Sequence, residues 1–323
     1  MLQIMETVYI SENNCVLHRC EDHFILKKQG HRIATIPLIN VKTIILLSNT
    51  QITTPAIDKI FEKNIDVIYT SKTGKIKGRL QSQISGGAIV RLAQYNTFVS
   101  AQDRLSIAKS MVLAKVSNQK KLIEKYRRHN SNGILNLSIT KMDKYSQKIE
   151  FSSNIDEVMG IEGISARVYW ECYKKLLDVK VFTRRDYRPA PDYVNSSLNL
   201  GYAFLANEIT ICLAALKFDI EIGFLHSVHY GRSSLALDIM EEFRSAFIDD
   251  WLLALFNKKR LKEEYFYGNE KNFYLKEEGF KKFIDLYHEH VESGDWKNKF
   301  KSQAYNLKKA VMEGVPYDPF YRE

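Results

Sequence analysis

The sequence predicts an α+β protein, with a small N-terminal domain that is β-sandwich-like with one helix and a larger all-α domain after it. Three observations predict this architecture. Short runs of β-branched and apolar residues, separated by turn signals, fill roughly the first eighty residues. From about Val90 the apolar residues instead recur with a period near 3.6. No proline occurs between Pro55 and Pro189, as expected of a stretch built from long helices.

The N-terminal domain is expected to contain short strands and one helix. Strands are predicted at residues 7–10, 15–19, 24–27, 32–38, 41–48, 65–70 and 76–80. A helix over residues 56–63 follows Pro55, because proline is favoured in the first helical turn. Residues 82–87 end in two glycines and predict a hinge. The expected domains are therefore residues 1–84, which are rich in strands, and residues 85–323, which carry the active site.

The second domain is predicted to consist of long helices. Apolar residues at helical spacing predict helices over residues 91–128, 145–159, 164–177, 194–216 and 235–256. No stretch reaches the roughly 18 uninterrupted apolar residues that cross a bilayer, and the first residues do not resemble a signal peptide. The four scattered cysteines are typical of a reducing compartment. We therefore expect a cytoplasmic protein that does not interact with membranes.

Positive charge is concentrated at the start of this helical region. The chain carries a formal net charge of +9, which favours polyanionic partners such as nucleic acid. Residues 91–150 contain 12 Lys and Arg against 4 Asp and Glu, so most of the surplus lies there. A solvated helix face would explain any one basic cluster. The concentration of the excess in one segment instead favours a face that binds phosphates.

Residues 223–244 hold the most informative group of ionisable side chains. Asp238 and Glu241 are three positions apart on an apolar helix, so they share one face, and His226 lies just upstream. Neighbouring carboxylates repel each other unless a cation lies between them, which makes this segment a candidate metal site. The alternative is an acidic turn on the protein surface, paired with Arg232 or Arg244.

Two further segments carry candidate functional residues. Glu162 lies between two glycines at a predicted helix start, where a ligand could approach closely, although a carboxylate there also complements the helix dipole. The loop over residues 182–195 contains Arg184, Arg185 and Arg188 among tyrosines and prolines. Arginine forks hold phosphates and aromatic rings stack on bases, so this loop is a candidate DNA contact. The alternative is a loop that is locked by pairs between arginine and carboxylate groups.

Four motifs together resemble the spacer-acquisition nuclease of CRISPR systems, the family called Cas one. They are GIEGISAR at residues 160–167, RDYRPAPDYVN at 185–195, GFLH at 223–226 and LALDIMEEFR at 235–244. Each motif is modest by itself, but their order and spacing are highly specific. The strand-rich N-terminal segment and the basic helices also look like the family, so the resemblance covers nearly the whole chain.

The resemblance implies a catalytic metal site formed by Glu162, His226 and Glu241, with Asp238 as a further catalytic acidic residue near the metal. Oxygen ligands with one imidazole nitrogen suit Mg²⁺ or Mn²⁺ better than zinc. The implied reaction is attack of a DNA 3′-hydroxyl on a phosphodiester, which inserts a short fragment into a CRISPR array. With water as the attacking group, the same site would cut DNA. Whether Asp238 binds the metal directly is left open by the sequence.

The resemblance also implies partners for the chain. These are double-stranded and branched DNA, a second copy of the chain in a homodimer formed through the N-terminal domains, and the small second adaptation protein, called Cas two. DNA contacts are expected from Arg184, Arg185, Arg188, Arg232 and Arg244. Two other functions are considered, a catalytically inactive DNA-binding scaffold and a metal-dependent hydrolase of a small phosphorylated molecule. The set of acidic residues and histidine disfavours the scaffold, and the basic surplus disfavours the hydrolase.

Overall fold

The computed structural model divides the chain into two compact units. It describes residues 7–10, 12–39, 41–46, 49–70, 76–80, 87–127, 133–187, 189–269 and 272–322. The first unit comprises residues 1–91 with 214–218, and the second comprises residues 92–213 with 219–323. The expected hinge at residues 82–87 lies, apart from Gly87, outside the described residues.

The first unit contains two four-stranded sheets and one helix. One sheet has the order β1-β5-β7-β8 and the other has the order β4-β3-β2-β6. Strands β1, β5 and β7 are parallel to one another, and β8 is antiparallel to β7. In the second sheet β2, β3 and β4 form an antiparallel meander, and β6 is parallel to β2. The strands are β1 (Thr7–Ile10), β2 (Cys15–Cys20), β3 (His23–Lys28), β4 (His31–Pro37), β5 (Thr43–Leu46), β6 (Thr50–Ile52), β7 (Asp66–Thr70) and β8 (Ile76–Leu80).

The sequence pattern explains this core. In β2 and β3 buried and more exposed residues alternate, so Leu17 and Phe24 point into the core while their neighbours do not. All four residues of β5 are buried, as expected of a central strand. Helix α1 (Thr54–Glu62) begins with Pro55 in its first turn and buries Ala56 and Ile60. The short strand β6 was not predicted, because three residues carry too little pattern.

The second unit is built from helices, as predicted. They are α2 (Ala88–Val99), which begins in the first unit, α3 (Ala101–Arg127), α4 (Gly133–Phe151), α5 (Ile155–Leu176), α6 (Tyr193–Ala215), α7 (Ser234–Phe243), α8 (Asp250–Asn257), α9 (Glu277–Ser293) and α10 (Trp296–Glu313). The predicted helix over residues 91–128 is in fact two helices. The chain breaks at Ser100, whose hydroxyl accepts a hydrogen bond from the amide of Asp103 and so begins α3.

The structure corrects the predicted position of Glu162. The residue lies in the interior of α5 and not at a helix start. The helix begins earlier because Asn154 caps it. The side chain of Asn154 accepts a hydrogen bond from the amide of Glu157. The Glu157 carboxylate in turn accepts from the amide of Ser153, the residue before the cap, at 2.8 Å, so the two hydrogen bonds together fix this helix start. A strong cap offsets the cost of about 1 kcal/mol for each of the two glycines inside the helix.

Two irregular elements interrupt the helices of the second unit. A two-stranded antiparallel hairpin, β9 (Phe266–Asn269) with β10 (Asn272–Leu275), adds a small β-element to the domain that was predicted to be all-α. Between α7 and α8 the chain forms a π-helix over Arg244–Asp249. Short π-helical turns are rare and often occur at functional sites, because they shift the side chains that follow.

Helix α6 is long and apolar enough to pass a length and composition test for membrane spanning. Of its most apolar window, 61% is buried inside the protein. Its first turn is capped by Asp192, whose carboxylate accepts from the amide of Asn195 at 2.7 Å. A mostly buried helix with a polar start is typical of the core of a globular domain.

Candidate active site

Three helices bring the acidic candidates together. Glu162 of α5 and Glu241 of α7 both contact the side-chain ammonium of Lys115, which extends from α3. The distance from Lys115 Nζ to Glu241 Oε2 is 2.6 Å. The other oxygen of Glu241 lies 3.0 Å from Nε of Arg244. Glu162 and Glu241 thus have two cationic neighbours within the protein itself, a lysine and an arginine. Asp238, the acidic residue that the sequence paired with Glu241, contacts the loop before α7 instead.

The charges of this group stabilise one another. Burial raises the pKa of Glu241, but Arg244 and Lys115 more than offset this and hold it at about 2. Burial lowers the pKa of Lys115, and the charges of Glu241 and Glu162 reverse this effect and raise it. The site therefore contains two carboxylates, an ammonium and a guanidinium whose formal charges cancel.

Asp238 has a different role from the other two acidic residues. Its Oδ2 accepts hydrogen bonds from the amides of Phe224 at 2.5 Å and Leu225 at 2.9 Å. Its Oδ1 accepts from the amide of His226 at 2.9 Å and lies 2.6 Å from Nδ1 of the same residue. The carboxylate therefore fixes the loop backbone and the imidazole of His226 together.

The sequence around this loop is suited to that contact. A Cβ atom at Gly223 would lie 2.7 Å from Oδ2 of Asp238 and 3.0 Å from the backbone of Ser234. Glycine is therefore required for the close approach between the loop and α7. The G-F-L-H motif supplies this glycine, the amides and the histidine in one short segment.

The donor set fits a hard divalent cation in its chemistry. Carboxylate oxygens from Glu162 and Glu241 meet at one cationic group, and Asp238 of the same helix as Glu241 holds the imidazole of His226. Oε2 of Glu241 is buried and has no well-aligned hydrogen bond, so it retains a free lone pair. Within the described part of the chain, no three His, Cys, Asp or Glu side chains are grouped closely enough to hold a metal ion as they stand.

The predicted DNA-contacting arginines lie in unlike environments. The side chain of Arg184 is 78% exposed and pairs with Asp186. Arg185 instead locks its own loop, because its guanidinium donates to Asn195 and Asn199 at 2.9 and 2.6 Å. The loop is thus held by arginine and asparagine contacts and also by the Arg184–Asp186 pair, which is of the arginine and carboxylate kind expected as the alternative. Arg244 is buried against Glu241, Arg232 is partly exposed, and Arg188 lies outside the described residues.

A groove of about 1000 Å³ adjoins this group. Arg185, Tyr202 and Arg244 line it together with Tyr187 and residues of the β9–β10 hairpin. Behind Tyr202 lies Asp249, a buried carboxylate at the end of the π-helix that accepts from Tyr169 at 2.7 Å and also from Tyr202. Burial raises the pKa of Asp249 to about 6, against the effect of these hydrogen bonds. The sequence analysis did not identify Asp249, since no motif marks it.

The C-terminal segment packs against α7 on the side of Glu242. Both carboxylate oxygens of Glu242 are occupied, one by the hydroxyl of Tyr317 at 2.6 Å and one by the amide of Phe320 at 2.7 Å. Asn118 of α3 donates to the carbonyl oxygens of Glu242 and Phe320. The last described residues of the chain therefore support the helix that carries Glu241. Sequence reasoning did not predict this contact.

Comparisons with known proteins identify the family of the chain. The sequence matches the family described as CRISPR associated protein Cas1 over residues 8–289. It is 30% identical to a CRISPR-associated endonuclease Cas1 of Thermus thermophilus, across 97% of this chain and 96% of that protein.

Solved structures share the fold. A chain of a partial Cas6-RT-Cas1–Cas2 complex matches with a TM-score of 0.81 and 20% identity, over 98% of this chain and 99% of that one. A casposase bound to its integration product matches with a TM-score of 0.77 and 20% identity, over 99% and 100% of the two chains. The two sheets and the helical unit thus form a fold that these proteins share, and this chain is a member of the CRISPR-associated Cas1 family.

Proposed function

We propose that this protein is a metal-dependent DNA endonuclease and integrase that inserts short DNA fragments into a CRISPR array. The observation that carries the proposal is the meeting of Glu162 and Glu241 at one cationic position in the helical unit. They are far apart in sequence and come from two different helices. Asp238, on the same helix as Glu241, orients the imidazole of His226. The names of the curated relatives support nuclease activity in general.

The Cas1 endonuclease family implies a divalent metal cofactor, and we propose Mg²⁺ or Mn²⁺ held by Glu162, Glu241 and His226. Bound there, the ion would polarise a phosphodiester and favour deprotonation of the attacking hydroxyl. Asp238 would act as a positioning residue, since its oxygens are already occupied by the loop amides and His226. When a carboxylate holds Nδ1 of an imidazole, Nε2 is the ring nitrogen that is left to bind a metal ion.

The groove beside the site is the proposed path of a DNA strand. Arg244 lies at the wall of the groove and contacts Glu241, so a phosphate drawn to its guanidinium would lie next to the carboxylate pair. Arg184 and Arg232 remain the proposed contacts to more distant phosphates. Arg185 would contribute indirectly, by holding the loop over residues 182–195 in its conformation. The expected contact from Arg188 stays a proposal.

The proposed partners follow from the family. The structural neighbours include a Cas1–Cas2 assembly and a casposase with an integration product, which supports DNA and the second adaptation protein Cas2 as partners. We also propose a homodimer formed through the strand-rich unit. Cas1 relatives act on nucleic acid, and the apolar helix α6 is largely buried, so a cytoplasmic location is proposed.

Cleavage of a branched DNA substrate tests this function. We expect Mn²⁺-dependent nicking by the wild-type chain and a loss of at least about a hundredfold in Glu162→Gln, because the substitution keeps the shape but removes a charged oxygen ligand. Glu171→Gln is the matched control, since Glu171 is an exposed carboxylate on the same helix. Equal nicking by the wild type and Glu162→Gln would contradict the proposal.

A further inference from the structure

The ammonium of Lys115 occupies the position between the two carboxylates. It contacts Glu162 and lies 2.6 Å from Oε2 of Glu241. Its side chain is only 10% exposed. The contact to Glu241 is a close ion pair in a buried position. An interaction of this kind depends on charge more than on directed hydrogen bonding.

A divalent ion and this ammonium cannot both touch the two carboxylates. Carboxylate oxygens approach Mg²⁺ at roughly 2.0–2.1 Å. The ammonium already fills the space at contact distance from the same oxygens. Two cations at contact distance also repel each other strongly in a buried site. Lysine has a flexible stem, so its ammonium can leave while the α3 backbone stays in place.

We propose that Lys115 is an internal counter-ion of the metal-free site, which holds Glu162 and Glu241 together and is displaced when the divalent ion binds. This inference rests on the proposed metal site. In this role Lys115 affects two properties in opposite directions, the stability of the metal-free protein and its affinity for the metal. The lysine stabilises the protein without metal, since the buried carboxylate of Glu241 and the partly exposed one of Glu162 would otherwise face each other, with Arg244 paired to Glu241 alone. It also weakens metal affinity, since the metal must replace it.

Metal binding without DNA tests the inference. Lys115→Met keeps an unbranched side chain and removes the charge. We expect Mn²⁺, titrated by electron paramagnetic resonance, to bind Lys115→Met at least about tenfold more tightly than the wild type, because a competing unit charge is gone. Lys115→Arg keeps the charge and is expected to stay near the wild-type affinity. Lys120→Met is the matched control, because Lys120 is on the same helix but pairs with Asp143.

Thermal melting gives an independent measurement. In EDTA we expect Lys115→Met to melt below the wild type, and added Mn²⁺ to raise its melting temperature more than that of the wild type. If Lys115→Met does not fold in EDTA, it can be purified with Mn²⁺ and the rate of Mn²⁺ release to a chelator measured, with slower release expected than from the wild type. Unchanged or weaker Mn²⁺ binding in Lys115→Met, or equally fast release, overturns the inference.

The outcomes separate this inference from the proposed function. If Glu162→Gln loses nicking and Mn²⁺ binding while Lys115→Met binds Mn²⁺ like the wild type, the metal site stands and the counter-ion role falls. If Glu162→Gln retains both nicking and Mn²⁺ binding, the metal site itself is misplaced, and the role of Lys115 falls with it.

Discussion

Asp238 is the residue whose role changes most between sequence and structure. The sequence left open whether it binds metal directly. In the fold both of its oxygens accept hydrogen bonds from consecutive loop amides, and one also contacts the ring of His226. Hydrogen bonds to an ionised acceptor are stronger than neutral ones, so this buried carboxylate is an important organiser of the loop.

We therefore expect Asp238→Asn to affect both stability and metal binding. The amide keeps the size of the carboxylate but turns one acceptor into a donor that faces backbone N–H groups. The free energy of unfolding should fall by about 2–4 kcal/mol. Mn²⁺ affinity should fall by about 10–100-fold, because the imidazole loses the partner that orients it.

Urea denaturation and Mn²⁺ titration measure these two effects. Glu221→Gln is a suitable control, since Glu221 is an exposed acidic residue just before the same loop. If Asp238→Asn matched the wild type in both measurements, the positioning role would be wrong.

The sequence predicted the acidic residues of the site but not their lysine partner. Glu162, His226 and Glu241 fall on recognisable motifs, and the structure places Glu162 and Glu241 around one charge. Lys115 was counted only as one of many basic residues in α3. Nothing in its neighbourhood in the sequence distinguishes it, because its partners lie 47 and 126 positions further along the chain. Contacts at that separation depend on the fold and leave no local pattern.

At the scale of elements, several boundaries were present in the sequence as capping signals. Asn154 is followed three positions later by Glu157, the pattern of a capping box, and it starts α5 well before Glu162. Ser100 and Asp103 mark the start of α3 in a similar way. Apolar periodicity alone merged or misplaced these helices, because it records which face is buried and says little about where a helix begins.

Other elements left no signal of that kind. The strands of the β9–β10 hairpin are four residues each, too short for alternation to identify them. The C-terminal segment from Tyr317 has no regular secondary structure, and its position depends on Asn118 and Glu242, which are distant in sequence. The strand-rich first unit was predicted more closely, since most of its strands are bounded by clear turns.

The π-helix between α7 and α8 is held by a histidine. Nε2 of His290 donates to the carbonyl oxygen of Phe247 at 2.8 Å. The imidazole also stacks on the rings of Phe247 and Trp251, with interplanar angles of 16° and 7°. Burial lowers the pKa of His290, and the hydrogen bond to Phe247 only partly opposes this. The neutral imidazole is therefore part of the folded element.

This arrangement predicts a loss of stability in mild acid. The unfolded chain binds a proton at His290 near the ordinary pKa of 6.5, while the folded chain resists it. The contribution of His290 is thus complete above pH 6.5 and is lost as the pH falls below that value. We expect His290→Gln to show a smaller decrease in unfolding free energy between about pH 7.5 and pH 5.5 than the wild type, measured by urea denaturation. An equal decrease in both proteins would assign the pH dependence to other groups.

Over the whole molecule, the surplus of positive charge is less available than the sequence suggested. The chain has a net charge of +9, and α3 carries much of its basic surplus. Many basic side chains of α3 are engaged inside the second unit, however. Lys115 contacts Glu162 and Glu241, Lys120 contacts Asp143, Lys121 donates to the carbonyl of Arg322, Lys125 contacts Asp250 and Arg127 donates to Asn136. Composition gives the sign of the protein's electrostatic field, but it cannot show which charged side chains are already paired.

Salt dependence of DNA binding can distinguish paired from available charges. Each phosphate contact by a lysine or arginine releases a counter-ion, so affinity falls as salt rises, with a slope set by the number of contacts. We expect Arg184→Gln to reduce this slope by about one, because its side chain is 78% exposed and proposed to contact phosphate, and its pair with the partly exposed Asp186 is a weak surface pair. Lys125→Gln removes the same charge from a pair with Asp250 and should leave the slope nearly unchanged while lowering stability. Fluorescence anisotropy with labelled duplex, between about 50 and 200 mM salt, measures both slopes. If the slope fell equally in the two variants, Lys125 would be available to DNA despite its pair with Asp250. DNA binding would then depend on the total charge of the protein surface.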